Sequence, residues 1–125
     1  MNIPETHQAV MPYLMLKNSL EFISFMEKVF GAALLFSKYR EDNRSLMHGE
    51  LKIDGSTIMF TEANEDWKPA PANLFIYVPD ADEAYRKALQ TGAVSIMQPE
   101  DRDYGRSCGI EDPFGNVWWI TSAIA

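Results

Sequence analysis

Residues 109–123 read GIEDPFGNVWWITSA. This is a strand, an acidic Pro-Gly turn over Asp112, Pro113, Phe114 and Gly115, and a second strand with paired tryptophans. Neighbouring side chains on a strand point to opposite faces, so Trp118 and Trp119 cannot share one environment. One belongs in a core, and the other must face something else. The same hairpin occurs earlier, where SLMHGELKI and STIMFTEA flank the tight turn Asp54-Gly55. Gly55 and Gly115 lie 60 residues apart, Gly31 and Gly92 lie 61 apart, and Leu16 and Val78 lie 62 apart. A nearly constant offset of half the chain indicates a duplicated βαβββ unit.

Each unit can be read outward from its hairpin. In the first, MPYLMLK is a strand, NSLEFISFMEKVFG an amphipathic helix ended by Gly31, and ALLFSKYR a further strand. Asn18 is the expected N-cap, with Glu21 at the capping-box position. In the second, NLFIYV is a strand, DADEAYRKALQTG a helix capped by Asp80 with Glu83 at the box position, and AVSIM a strand. Prolines and polar residues in ANEDWKPAPAN separate the halves. The expected organisation is one domain over 1–125, with module one at about 9–63, a linker at about 64–72 and module two at about 73–123. The fold class is α+β, with tandem βαβββ modules forming a curved, partly closed mixed sheet around a cavity.

Composition limits the function. The chain has 125 residues, 46% hydrophobic and 23% charged, which supports a packed interior. A net charge of -7 argues against nucleic acid as a partner, because phosphate binding needs a basic face. No apolar run approaches the roughly 20 residues of a membrane span, and MNIPETHQAV lacks the features of a secretory signal. The single Cys108 excludes an internal disulfide. These features lead to the expectation of a cytoplasmic domain with a small partner, and of no membrane association.

PYLMLKNSLEFISFMEKVFGA, HGELKIDGSTIMF, VPDADEAYRKALQTGA and YGRSCGIEDPFGNVWWI together span nearly the whole chain. They resemble the vicinal oxygen chelate superfamily, the glyoxalase, bleomycin-resistance and extradiol-dioxygenase group. The closing DPFGNVW resembles its PhnB-like branch, which commonly has His where this chain has Asn116. The resemblance implies a homodimer and a cavity. It does not fix a reaction, since the superfold hosts isomerases, lyases, dioxygenases and non-catalytic binders. Metal-dependent members take four His or Glu ligands from the first and fourth strands of each module. That pattern falls here on Met11, Met59, Asn73 and Trp119. Thioether, amide and indole are poor ligands for a hard divalent ion, so no metal and no other cofactor is expected.

Strand alternation assigns Leu14, Leu16, Ile58, Phe60, Leu74, Ile76, Val78, Trp118 and Ile120 to the helix side. The cavity side receives Tyr13, Met59, Asn73, Phe75, Tyr77 and Trp119. In the third strand Met47, Leu51 and Ile53 go under the helix and His48 and Glu50 go inward. The repeat puts Arg106, Cys108 and Ile110 in the matching inward row. His48 and Glu50 are candidates for a proton-accepting pair, with Glu orienting the imidazole, or for a pair that only satisfies itself. Arg106 is a candidate anion clamp, or the partner of Glu50 or Asp103. Cys108 reads as a small apolar residue, and a metal site from His48, Glu50 and Cys108 would lack a fourth ligand. Tyr13, Phe75, Tyr77 and Trp119 make an aromatic wall, with Trp67 from the linker as a lid or dimer contact.

The principal expectation is a glyoxalase/bleomycin-resistance-like protein without the metal ligands, binding a small organic molecule. One alternative is a lyase, isomerase or metal-free acid–base enzyme using His48, Glu50 and Arg106. The other is a non-catalytic dimerisation module with a filled cavity.

Overall fold

A computed structural model describes residues 1–124. The first βαβββ unit comprises β1 (Tyr13–Leu16), α1 (Ser19–Phe30), β2 (Ala33–Tyr39), β3 (Leu46–Ile53) and β4 (Ser56–Glu62). The second comprises β5 (Asn73–Tyr77), α2 (Ala81–Gln90), β6 (Val94–Arg102), β7 (Gly105–Glu111) and β8 (Val117–Ala123). Each unit makes a four-stranded sheet, ordered β1-β4-β3-β2 and β5-β8-β7-β6. β1 runs parallel to β4 and β5 parallel to β8, and the other neighbours are antiparallel. The fold is the expected α+β duplication, and the two sheets are not closed into a barrel.

The helices start in different ways. At α2, Asp80 accepts from the Glu83 backbone N–H at 3.1 Å, as its position in the sequence predicts. At α1, Asn18 sits in the left-handed region (φ 60°) and its side chain caps nothing. The Glu62 carboxylate at the end of β4 does that work instead. It accepts from the backbone N–H groups of Asn18 and Ser19 at 3.0 and 2.9 Å and from the Ser19 hydroxyl at 2.6 Å. An anion at a helix N-terminus is favoured by the exposed amides and the macrodipole, whichever strand supplies it.

The core lies between the helices and one face of each sheet. Leu14, Leu16, Ile58, Phe60, Ile76, Trp118 and Ile120 are buried there, as alternation requires. Trp118 packs on Phe30 of α1 (ring centroids 5.0 Å), and Phe114 meets Phe22 and Phe25 at 5.5 and 6.0 Å. Aromatic side chains of the second unit therefore enter the core under the first unit's helix, which couples the halves.

The DPFGN phrase organises that contact. Asp112 is 3% exposed, and its carboxylate accepts four hydrogen bonds. The donors are the backbone N–H groups of Phe114 and Asn116, the Asn116 amide and the Trp118 indole, at 2.8–2.9 Å. Asn116 is fully buried, and its own carbonyl accepts from the Ala72 N–H at 3.1 Å. Asn116 is thus part of this turn and faces no cavity.

Two face assignments differ from the alternation read off the sequence. Between Lys38↔His48 and Tyr39↔Leu46 the β2–β3 ladder has a bulge. The extra residue turns Leu46 into the core and leaves Met47 exposed on the concave side, contrary to the expected placement of Met47 under the helix. In the second unit, Glu50 pairs with Met59 and Gly109 pairs with Trp119. Gly109 is therefore the counterpart of Glu50, an offset of 59, whereas the inward assignment of Cys108 assumed 58. One residue of slip inverts the strand. Arg106, Cys108 and Ile110 consequently lie on the helix side of β7.

Candidate functional site

The concave face of the first sheet carries a chain of polar side chains. Glu50 and His48 stand two apart on β3 and share this face, as predicted, with His48 Nε2 at 2.8 Å from Glu50 Oε2. The other oxygen, Oε1, is taken by Nε2 of His7 at 2.9 Å. Tyr13 on β1 brings its hydroxyl to 3.3 Å from His48 Nδ1. The row runs Tyr13, His48, Glu50, His7. Burial raises the Glu50 carboxyl pKa, but the hydrogen bonds from the two imidazoles outweigh it and hold the group below the usual carboxylate value.

His7 is the member that sequence reasoning missed. It precedes β1 in a segment without regular structure, and strand alternation says nothing about such a residue. The segment is laid over the sheet by side-chain-to-main-chain hydrogen bonds. Gln8 makes two bonds to the main chain of Thr57, at 2.8 and 3.3 Å, and the Thr57 hydroxyl bonds to the Thr6 carbonyl. A Gln followed five residues later by a strand gives little warning of such a strap.

The metal positions inherited from the resemblance hold no fitting donor set. Met59 lies beside Glu50 on the neighbouring strand, and Met11 precedes β1. The Trp119 indole donates to the Asn73 side-chain carbonyl at 3.3 Å, so an amide–indole pair stands where two ligands would have to converge. Among the described residues, no group of three or more His, Cys, Asp and Glu is arranged to hold a metal ion. His7, Glu50 and His48 satisfy one another, and Cys108 cannot join them from the opposite face of the other sheet.

Two cavities open on the concave side, and a third lies between the sheets. One, of about 420 Å³, is lined by Tyr13, Met15, Arg40, Met47, Thr61, Asn64 and Trp67. Trp67 is 60% exposed at its rim. The linker holding it is stiffened by the Asn64 side chain, which accepts from the N–H groups of Asp66 and Trp67 at 2.9 and 2.7 Å. Ala70 then pairs with Met15 and fastens the loop to β1. A second cavity, of about 310 Å³, lies on the other sheet between Phe75, Met97, Arg102, Tyr104, Ser107 and Trp119. The third, of about 350 Å³, runs between the first sheet and β5, where Phe75, Tyr77 and Gln8 meet.

Trp119 can lie along the second concave face because Gly109 is opposite it. A Cβ at Gly109 would come within 2.6 Å of the indole ring. The paired tryptophans therefore divide as alternation predicts, with Trp118 in the core and Trp119 on a cavity wall.

Arg106 and Cys108 do not reach either concave cavity. Arg106 clamps Asp82 of α2 through Nε and Nη2, at 2.6 and 3.1 Å, and reaches Asp101 at 3.1 Å. The fork raises the Arg106 pKa and lowers that of Asp82. Cys108 is fully buried beneath α2, and burial pushes its thiol up to about 11, which makes it unreactive at neutral pH.

The sequence profile of the Glyoxalase/Bleomycin resistance protein/Dioxygenase superfamily matches residues 14–120. The chain belongs to this superfamily. An uncharacterized protein of Mycobacterium bovis is 29% identical, with 88% of this chain and 80% of that protein covered. Among solved structures, one from Bacillus cereus is described as a putative 3-demethylubiquinone-9 3-methyltransferase, PhnB protein. It matches with TM-score 0.72 and 15% identity, covering 93% of this chain and all of that one. TnmS3, an antibiotic binding protein from Streptomyces sp. CB03234, matches with TM-score 0.70 and 18% identity, covering 94% of this chain and all of that one. At these identities the structural matches establish the fold alone. No helix among the described residues is long and apolar enough to cross a membrane.

Proposed function

We propose that this superfamily member binds a small, amphipathic organic molecule on its concave faces without a metal ion. The observation that carries this reading is the replacement of the inherited ligand positions by Met59 and the Asn73–Trp119 pair, beside solvent-exposed Tyr13, Trp67, Phe75 and Tyr77. Exposed aromatic rings on a sheet face are costly to leave in water and suit a flat ligand. The likeness in fold to an antibiotic binding protein is consistent with that class of ligand. The exposed apolar side chains of the outer strands, among them Leu34, Phe36, Val94 and Ile96, further support a homodimer in which a second copy covers them.

The test is a thermal-shift and tryptophan-fluorescence screen of planar amphipathic compounds in the presence of a chelator. Saturable binding that Trp67→Ala weakens is the expected result. Binding that needs an added divalent ion, or no response from any compound in the screen, would overturn the reading.

A second reading rests on the Tyr13–His48–Glu50–His7 row, which links a cavity hydroxyl to a carboxylate through an imidazole. In an acid–base enzyme, Tyr13 would meet the substrate while His48 and Glu50 adjusted its proton affinity. Both His48 ring nitrogens are engaged, so the imidazole itself has no free position toward a substrate. Turnover abolished by both Tyr13→Phe and His48→Ala would establish this role, and ligand binding unaccompanied by turnover would exclude it.

A further inference from the structure

The cavity beneath Trp67 contains a cation that the sequence reading passed over. Arg40 follows β2, and its side chain crosses the concave face to the far end of β4. There Nη2 donates to the Thr61 hydroxyl at 3.2 Å and to the Glu62 carbonyl at 2.7 Å. Both acceptors are neutral oxygens. The other described arginines with ionic partners, Arg102 and Arg106, meet carboxylates at 2.6–3.1 Å, whereas Arg40 forms no ion pair among the described residues. Its Nε–H and both Nη1 hydrogens have no protein acceptor among the described residues, and the side chain is half-buried in the cavity wall.

A guanidinium is always charged and costs free energy to withdraw from water without a counter-charge. Here it is held by two neutral bonds in a cavity whose other walls are Tyr13, Trp67, the thioethers of Met15 and Met47, and the polar Thr61 and Asn64. That combination places a positive charge with no carboxylate in contact, Asp42 acting on it only from a distance, at the base of an aromatic, polarizable slot. We infer that this cavity selects planar aromatic molecules carrying a carboxylate. The ring lies among Tyr13, Trp67 and the methionines, and the carboxylate accepts from the spare N–H groups of Arg40. The inference rests on the ligand-binding reading above and narrows its ligand class. It also replaces Arg106, which is consumed by Asp82 and Asp101, as the anion-directed arginine.

Calorimetric titration of the chelator-treated full chain with naphthalene-2-carboxylate and, separately, with naphthalene-2-carboxamide tests it. The two probes share a ring and differ in charge. A charge-assisted hydrogen bond in a half-buried slot predicts about tenfold tighter binding of the carboxylate. Arg40→Gln should bring the carboxylate to the level of the carboxamide, and Trp67→Ala should weaken both probes alike. Because Arg40 also ties the end of β2 to β4, the wild-type protein provides a second reading. The Arg40 Nε–H resonance should move with the carboxylate and stay still with the carboxamide. Equal affinities for the two probes in wild type would overturn the inference while leaving cavity binding intact. A preference that survives Arg40→Gln, or an unmoved Arg40 resonance, would overturn it as well. Binding of neither probe would remove both this inference and its parent reading for this cavity.

Discussion

The two βαβββ units have one strand order and opposite concave faces. In the first, the inward row of β3 carries His48 and Glu50, joined by Tyr13 from β1 and by His7 from the segment ahead of it. In the second, the equivalent row of β7 carries Ser107 and Gly109, and the surface is built by Phe75, Tyr77, Tyr104 and Trp119. Glu50 and Gly109 occupy corresponding positions, and the exchange decides what each face can do. A carboxylate there gathers imidazoles, whereas a glycine lets an indole lie flat over the strand. Duplication thus preserves the hydrogen-bonded scaffold and leaves the exposed face free to diverge, because the ladder constrains backbone and core but not the outward side chains.

The hairpin turns give the sharpest contrast in stability. Asp54 in the first unit turns through the left-handed region (φ 52°) on an exposed hairpin, whereas Asp112 in the second is buried with four donors. Asp112→Ala strands several buried N–H groups and should cost about 3 kcal/mol or more, read as a lower urea midpoint. Asp54→Ala should cost about 1 kcal/mol, the scale of a single left-handed residue. Similar losses at both turns would break the contrast.

The glycines provide the next comparison. A Cβ at Gly49 would approach Phe60 to 2.5 Å in the core, and one at Gly109 would approach Trp119 to 2.6 Å on the cavity wall. Phe60 is fully buried, while Trp119 has open space on its other side. Gly49→Ala is expected to cost about 2–3 kcal/mol in denaturant unfolding and Gly109→Ala about 1 kcal/mol, with a clear change in tryptophan emission only for Gly109→Ala. The reverse order would mean that Trp119 is the more tightly held ring.

The last comparison, at Glu50, is read through pH. Its folded pKa lies below the usual value of 4.5, so its contribution to stability is present above that value and is lost as pH falls through the folded pKa. Urea midpoints measured from pH 6 to pH 3 should therefore fall more steeply in wild type than in Glu50→Gln, with a difference of about 1 kcal/mol at pH 6. Gly109→Ser, at the equivalent position, should leave the slope unchanged. Parallel pH profiles for wild type and Glu50→Gln would contradict the proposed role of the two imidazoles.

How far the sequence was legible follows from the same differences. Hairpin turns, helix ends and the alternation of β4 and β8 depend on local signals, so the repeat and the division between Trp118 and Trp119 could be read directly. The inward row of β7 could not be read, because the offset between repeats changes from 60 to 59 between β8 and β7, and one residue reverses every side chain of a strand. Leu46 and Met47 exchanged faces at a bulge for the same reason. The α1 cap went to Glu62, 43 residues from Ser19, and His7 and Arg40 reach their sites from an irregular segment and across a sheet. These are tertiary placements without a periodic signature. The residues assigned by alternation therefore took the expected face where the register held, while Arg40 lay outside any strand.

The central claim is that these concave faces bind an organic molecule in place of the superfamily's metal ion. Its most direct test is elemental analysis of protein expressed in metal-rich medium, together with thermal melts in the presence of nickel, zinc, manganese and iron. The account predicts far less than one ion per chain and an unchanged melting temperature. Near-stoichiometric metal, with a raised melting temperature that His48→Ala abolishes, would contradict it.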